Sequence, residues 1–190
     1  NDGAGSGLDA DLLDSQHGTY YLDRTNHTGT QAISTVSGLQ DSLDLKSSCY
    51  SLPNVTAADG SWIYLGELSM PQNGYSAQFK LVGNRSYSAD NGQNAEVNLR
   101  FKTSNTERNQ GGFYGDAQMY RIGQNTKFCS TIRIVQTSST VFRFYILTDL
   151  YLGNGSFYTL SKATGTWTHS GTNYGTTAPT GTYIDATEYK

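Results

Sequence analysis

Residues 95–102 read Ala95-Glu96-Val97-Asn98-Leu99-Arg100-Phe101-Lys102, an unbroken alternation of apolar and polar side chains. A strand turns successive side chains to opposite faces, so this period of two predicts a strand with one face on a core and the other in water. Upstream, Tyr75, Ala77, Phe79 and Leu81 alternate with Ser76, Gln78 and Lys80 in the same manner. Comparable strands are expected over 114–122, 128–135 and 141–147. The segment 62–68 is apolar on both faces, which suits a central strand or one buried at a subunit contact. Turn-forming runs separate these segments: Pro71-Gln72-Asn73-Gly74, Asp90-Asn91-Gly92, Asn109-Gln110-Gly111-Gly112, Gly123-Gln124-Asn125 and Gly153-Asn154-Gly155. Short strands punctuated by Asn and Gly predict a mainly β fold, an antiparallel β-sandwich head over residues 56–190. Its last stretch, 167–190, reads either as an irregular pair of edge strands or as an arm wrapped on a neighbouring subunit.

Composition agrees with a virion or secreted β-protein rather than a helical enzyme of the cytosol. Of 190 residues only 15% are charged, while Gly numbers 21 and Tyr 14. The net charge of −3 and the lack of a Lys/Arg cluster argue against nucleic acid as a partner. No apolar run approaches the roughly 20 residues of a spanning helix, so no membrane insertion is expected. Cys49 and Cys129 are too few for a disulfide framework and lack metal-ligand spacing, so two free thiols are expected. The chain opens in mid-phrase at Asn1, as a fragment of a longer protein would.

The first 31 residues are of another kind. Residues 7–31 are rich in Gly, Asp, Thr and Asn, with isolated apolar anchors at Leu8, Leu12, Leu13, Tyr20, Tyr21 and Leu22. Such a segment lacks the apolar surface to order alone, so neighbouring chains would have to satisfy it. Ile33, Val36, Leu39 and Leu43 then fall in one sector of a helical wheel, predicting a short amphipathic helix over 32–45 within a collar and linker over 32–55. Gly38 inside it costs about 1 kcal/mol relative to Ala, so this helix needs packing to persist.

The run Leu8-Asp9-Ala10-Asp11-Leu12-Leu13-Asp14-Ser15-Gln16-His17-Gly18-Thr19-Tyr20-Tyr21, followed by Asn26-His27-Thr28-Gly29-Thr30-Gln31, resembles the repeat units of bacteriophage tail fibres and of R-type bacteriocin fibres. The likeness covers about the first 45 residues. It implies an intertwined homotrimer: a shaft segment over 1–31, a helical collar, and a C-terminal receptor-binding head. Leu12, Leu13, Tyr20, Tyr21, Ile33, Val36, Leu39 and Leu43 would then form the trimer contact. The implied setting is the tail fibre of a virion, assembled in the cytoplasm of a bacterial host. The implied partner is a bacterial surface glycan such as lipopolysaccharide, with an outer-membrane protein as the second choice. Some fibres of this type hold axial metal ions with His-x-His motifs. Here His17 and His27 stand singly, so they are weak candidates on the trimer axis and no metal or other cofactor is assigned.

Glycan recognition needs aromatic faces for sugar rings and planar polar groups for hydroxyls. Two segments have that composition. One supplies Arg108, Asn109, Gln110, Phe113, Tyr114 and Asp116; the other supplies Trp167, His169 and Tyr174. For any single aromatic among them, a place in the core is the simpler reading. Alternating strand directions put the turns near Gln72, Arg108 and Ser138 at one end of the head, and those near Asn91, Gln124 and Asn154 at the other. No Gly-x-Ser-x-Gly elbow accompanies His17, His27 or His169, which argues against a hydrolytic triad. Glu67, Asp90, Glu96, Glu107, Asp116 and Asp149 offer carboxylates for glycoside cleavage. Some proximity among sixteen acids is expected by chance, and the head is short for a repetitive β-helix. The expectation is therefore that the chain is not an enzyme. A glycan-cleaving tip and a purely structural connector are the alternatives.

Overall fold

The computed structural model describes residues 12–13, 16–30, 32–39, 43, 48–56, 60–83, 95–108, 111–122, 128–148, 152–153 and 155–189. The chain divides into two compact units, Asn1–Ser42 and Leu43–Lys190.

In the first unit, β1 (Leu12–Leu13) pairs antiparallel with β2 (Gln16–His17), and the five-residue helix α1 (Gly18–Leu22) follows at once. A 3-10 turn over Arg24–Asn26 is capped by Asp23, whose carboxylate accepts from the Thr25 backbone N–H at 2.9 Å. That hydrogen bond holds the Asp23 carboxyl below its ordinary value. Of the amphipathic helix expected over 32–45, the described residues show a 3-10 turn over Ile33–Thr35, an extended Val36, Gly38 at φ +73°, and helical backbone at Leu39 and at Leu43. A left-handed residue cannot continue a right-handed ladder, so the helix does not run unbroken through Gly38. Residues 40–42 and 44–47 lie outside the described residues.

The second unit holds two sheets, and the described strands do not close into a barrel. Its strands are β3 (Ser48–Ser51), β4 (Ser61–Ser69), β5 (Ser76–Gly83), β6 (Ala95–Arg108), β7 (Phe113–Ile122), β8 (Thr131–Ser138), β9 (Val141–Thr148), β10 (Phe157–Lys162), β11 (Thr166–Gly175), β12 (Thr182–Asp185) and β13 (Thr187–Glu188). The six-stranded sheet runs β13-β7-β6-β5-β10-β3 and the five-stranded sheet β11-β4-β9-β8-β12. All pairings are antiparallel except β13 with β7. The six strands expected between residues 62 and 147 are all present. Within the span 32–55 expected as collar and linker, β3 joins the six-stranded sheet, and Leu52 and Val55 are buried in the core. Residues 167–189 include irregular edge strands: β11 borders β4, and β12 borders β8.

The sheets share one core because their alternating apolar sets face each other. Phe79 and Phe101 of the six-stranded sheet meet Phe144 and Phe142 of the other, with ring centroids 4.6 and 4.9 Å apart. Such aromatic pairs add about 0.5–1.5 kcal/mol beyond their burial. Strand β4, apolar on both faces in sequence, carries a bulge between Tyr64 and Gly66. Ile63 enters the shared core before the bulge, Leu65 at it and Leu68 after it, while Trp62 joins Val135 and Tyr145 in a smaller cluster on the outer face. Gly66, at φ +149°, lets Trp167 cross it; an added Cβ would lie 2.3 Å from the Thr168 carbonyl oxygen. Cys49 and Cys129 are free thiols, as the sequence predicts.

Candidate functional site

The outer face of the six-stranded sheet carries a cleft of about 560 Å³. Its lining follows from strand register. Ser161, Gln78, Arg100 and Gln118 stand side by side on β10, β5, β6 and β7, and Ser76, Lys102 and Asp116 form the next row. Lys162 and Ala163 border it where β10 ends. Neighbouring strands lie about 4.8 Å apart, so the four-residue row spans roughly 14 Å. It presents two amides and a guanidinium, planar groups that donate and accept hydrogen bonds at fixed angles.

A second cleft of about 340 Å³ shares Lys102 and Asp116 with the first and extends it. Its wall comes from an irregularity in β6. Between the pairs Thr103–Gly115 and Arg108–Phe113, β6 advances five residues while β7 advances two. The three extra residues loop outward, so Ser104, Thr106 and Glu107 face Gly115 and Asp116 across the cleft. Glu107 is held in place there: Tyr114 Oη donates to Oε1 and the Gly112 backbone N–H to Oε2, both at 3.2 Å. The carboxylate in turn raises the Tyr114 phenol above its ordinary value. Behind it, the Tyr114 backbone N–H donates to Gln136 Oε1 at 2.7 Å and Gln136 Nε2 donates to the Gly112 carbonyl at 3.3 Å.

The turn over 71–74 and the turn at 139–140 lie side by side at one end of this unit, where the turns near Gln72, Arg108 and Ser138 are expected. Asn91, Gln124 and Asn154, expected at the other end, lie outside the described residues. Met70 N–H donates to the Thr140 carbonyl, Thr103 Oγ1 to the Pro71 carbonyl, and Ala163 N–H to the Ser76 carbonyl. Both clefts open beside that end.

The residues singled out in the sequence are dispersed. Tyr114 and Asp116 flank or line the clefts, with Glu107 between them and the turn. Asn109, Gln110 and the Arg108 side chain lie outside the described residues. Phe113 is 1% exposed and packs on Phe142, so it belongs to the core. Trp167 is half-buried against Phe79, Phe144 and Tyr158. His169 stacks on Tyr50 at 4.7 Å, and its Nδ1 lies 2.7 Å from Tyr158 Oη, which donates to the Leu65 carbonyl. Burial lowers the His169 imidazole below its ordinary value and raises the Tyr158 phenol. Tyr174 lies on the other sheet, edge-on to Tyr145. In the first unit His27 Nε2 donates to the Tyr21 carbonyl at 2.7 Å, while the side chains of His17, Leu12 and Leu13 lie outside the described residues. No group of three or more metal-ligating side chains occurs among the described residues. Gln78, Arg100, Lys102 and Gln118 were not singled out in the sequence, although the period of two already assigned the first three to the water face. What was missing was the lateral register that sets them in rows.

No family model and no curated protein matches the chain. Among solved structures, Pantoea stewartii WceF, described as a glycan biofilm modifying enzyme with a bacteriophage tailspike-like parallel β-helix fold, matches at TM-score 0.53 and 13% identity over 71% of this chain. The match takes in 21% of that chain, so this protein spans about a fifth of its length. The Acinetobacter baumannii phage AM24 tailspike protein matches at TM-score 0.27 and 10% identity, over 74% of this chain and 28% of that one. The WceF likeness corrects the expectation that the chain is not an enzyme. That expectation rested on a head short for a β-helix, and part of a glycan-modifying enzyme has this fold at this size. What is shared with WceF is the fold of the matched part.

Proposed function

We propose that the chain is the surface-recognition part of a phage tail fibre or tailspike, whose β-sandwich head binds a bacterial surface glycan in the cleft on its six-stranded sheet. The observation that carries this reading is the row Ser161, Gln78, Arg100 and Gln118 across a cleft of about 560 Å³. Flat amides and a guanidinium beside a groove of oligosaccharide length suit ring hydroxyls, and a groove shared among strands needs no movement to form. Tyr114 and Asp116 extend the same surface.

Trimeric assembly belongs to this reading. Among the first 43 residues Tyr20, Leu22, Ile33, Val36 and Leu43 are exposed large apolar side chains, and no described residue of α1 or the two 3-10 turns is buried. Three chains around an axis would cover them, and three shallow sites on one tip would raise apparent affinity by roughly 10² to 10⁴. The test is pull-down of the purified chain on bacteria with and without outer glycan, with mass by light scattering on the same sample. Glycan-dependent binding that Gln78→Ala with Gln118→Ala abolishes is expected. A folded chain that ignores every glycan-bearing cell would overturn the reading.

A second reading, glycan cleavage, is favoured by Glu107 and Asp116 lining one cleft, since glycoside hydrolysis employs two carboxylates flanking the sugar bond. Release of new reducing ends from a bound polysaccharide, lost in Glu107→Gln and in Asp116→Asn with binding retained, would establish it. Binding without release would leave recognition as the function.

A further inference from the structure

The described cations of the second unit fall into two groups. Lys80 pairs with Glu96 at 2.8 Å, Arg121 with Glu188 at 2.8 Å, Arg133 with Asp185 at 2.7 Å and Arg143 with Glu67 at 2.9 Å. Arg100, Lys102 and Lys162 have no ion-pair partner among the described residues, and all three line the larger cleft. Asp116 is the only carboxylate among the described lining residues, which hold three cations against one anion in a chain whose net charge is −3. Among the described residues, the cations without an ion-pair partner thus gather in one cleft. A guanidinium receives carboxylate or phosphate oxygens through two parallel N–H bonds, and flanking ammonium groups add attraction without fixing direction.

From this sorting of charge we infer that the cleft takes an anionic polysaccharide. The acidic groups of the ligand sit on Arg100, Lys102 and Lys162, and its hydroxyls on Gln78 and Gln118. The inference rests on the cleft being the glycan site and names the class of glycan. Part of the affinity is then electrostatic and screened by salt, since the Debye length falls from about 10 Å at 0.1 M to about 3 Å at 1 M. It also predicts that neutralising the ligand is as damaging as neutralising the protein.

The test is titration of the full chain with polygalacturonate, alginate and hyaluronate, each beside its carboxyl-reduced neutral form, and with a teichoic acid as the phosphate-bearing glycan. At least one acidic member is expected to bind, more weakly by roughly tenfold or more after carboxyl reduction, and more weakly again in 1 M salt. Arg100→Gln, Lys102→Gln and Lys162→Gln together should remove the preference for the acidic form; Arg143→Gln, on the opposite sheet, should leave it unchanged. If the triple variant does not fold, Lys162→Gln alone, at a strand end, should lower acidic-glycan affinity at an unchanged melting temperature. Preference for the uronates over teichoic acid assigns the anion as carboxylate, and the reverse as phosphate. Equal binding of acidic and reduced forms would overturn the inference while leaving the cleft as a glycan site. Binding of neither form would overturn both.

Discussion

The two sheets present outer faces of opposite character. On the five-stranded sheet, Thr172, Tyr64, Tyr145, Arg133 and Asp185 form one row and Glu67, Arg143, Val135 and Tyr183 the next. Its groups satisfy one another. Arg133 makes a two-pronged bond to Asp185 and lies over the Trp62 and Tyr183 rings at 5.1 and 3.8 Å, while Tyr64 stacks on Tyr145 at 5.0 Å. The six-stranded sheet has a comparable supply of cations on its outer face, yet three of them lack a described partner and face an open cleft. Aromatic and ionic groups that close upon each other stabilise the fold, whereas groups left facing water are available to a ligand. Aromatic content alone therefore does not tell which face leaves groups open to a ligand.

Several substitutions would break or sharpen that contrast. The largest effect is expected from Phe144→Ala, which empties the core beneath both faces and should cost about 3–5 kcal/mol in urea unfolding. Arg133→Ala removes the Asp185 pair, the ring contacts and the hydrogen bond to the Pro179 carbonyl. A loss of about 1–3 kcal/mol in unfolding, with glycan binding unchanged, is expected. Were Arg133→Ala to abolish binding at unchanged stability, the functional roles of the faces would have to be exchanged.

A smaller effect concerns pH. The folded chain holds His169 below its ordinary value of 6.5, so it favours the neutral ring. The stability this contributes is complete above about pH 6.5 and is lost as pH falls from there through the lower folded value. The melting temperature should drop between pH 7 and pH 5, and the drop should be smaller in His169→Gln. An equal drop in both would remove His169 as its source. The smallest effect on folding is expected from Arg100→Gln or Lys102→Gln. Each should stay within about 0.5 kcal/mol of the parent chain, because an exposed cation without a partner contributes little to stability.

The two regions also differ in how much could be read beforehand. Strands β5 to β9 were legible because their side chains alternate and Asn/Gly turns separate them, and β4 because its run is apolar on both faces; β3 and β10 were missed because Ser48-Cys49-Tyr50-Ser51 and Phe157-Tyr158-Thr159-Leu160 are too short and mixed to show a period. Tyr114 and Asp116 were recognised by composition, whereas Phe113 and Trp167, of the same composition, point into or against the core. Residue type did not distinguish them, because an aromatic beside a turn serves packing and binding equally well.

By itself the sequence determined the β character of the second unit, the water-facing side of β5 and β6, the grouping of turns at one end and the free state of both cysteines. Each follows from local periodicity, turn chemistry or residue count. Only the tertiary structure decided that β4 shifts its phase at Gly66, and that a three-residue excess in β6 brings Glu107 beside Asp116. It alone revealed that Arg100, Lys102 and Lys162, without an ion-pair partner among the described residues, share one cleft. Those outcomes depend on which strands lie side by side and in what register, and register is set by contacts between residues far apart in the chain.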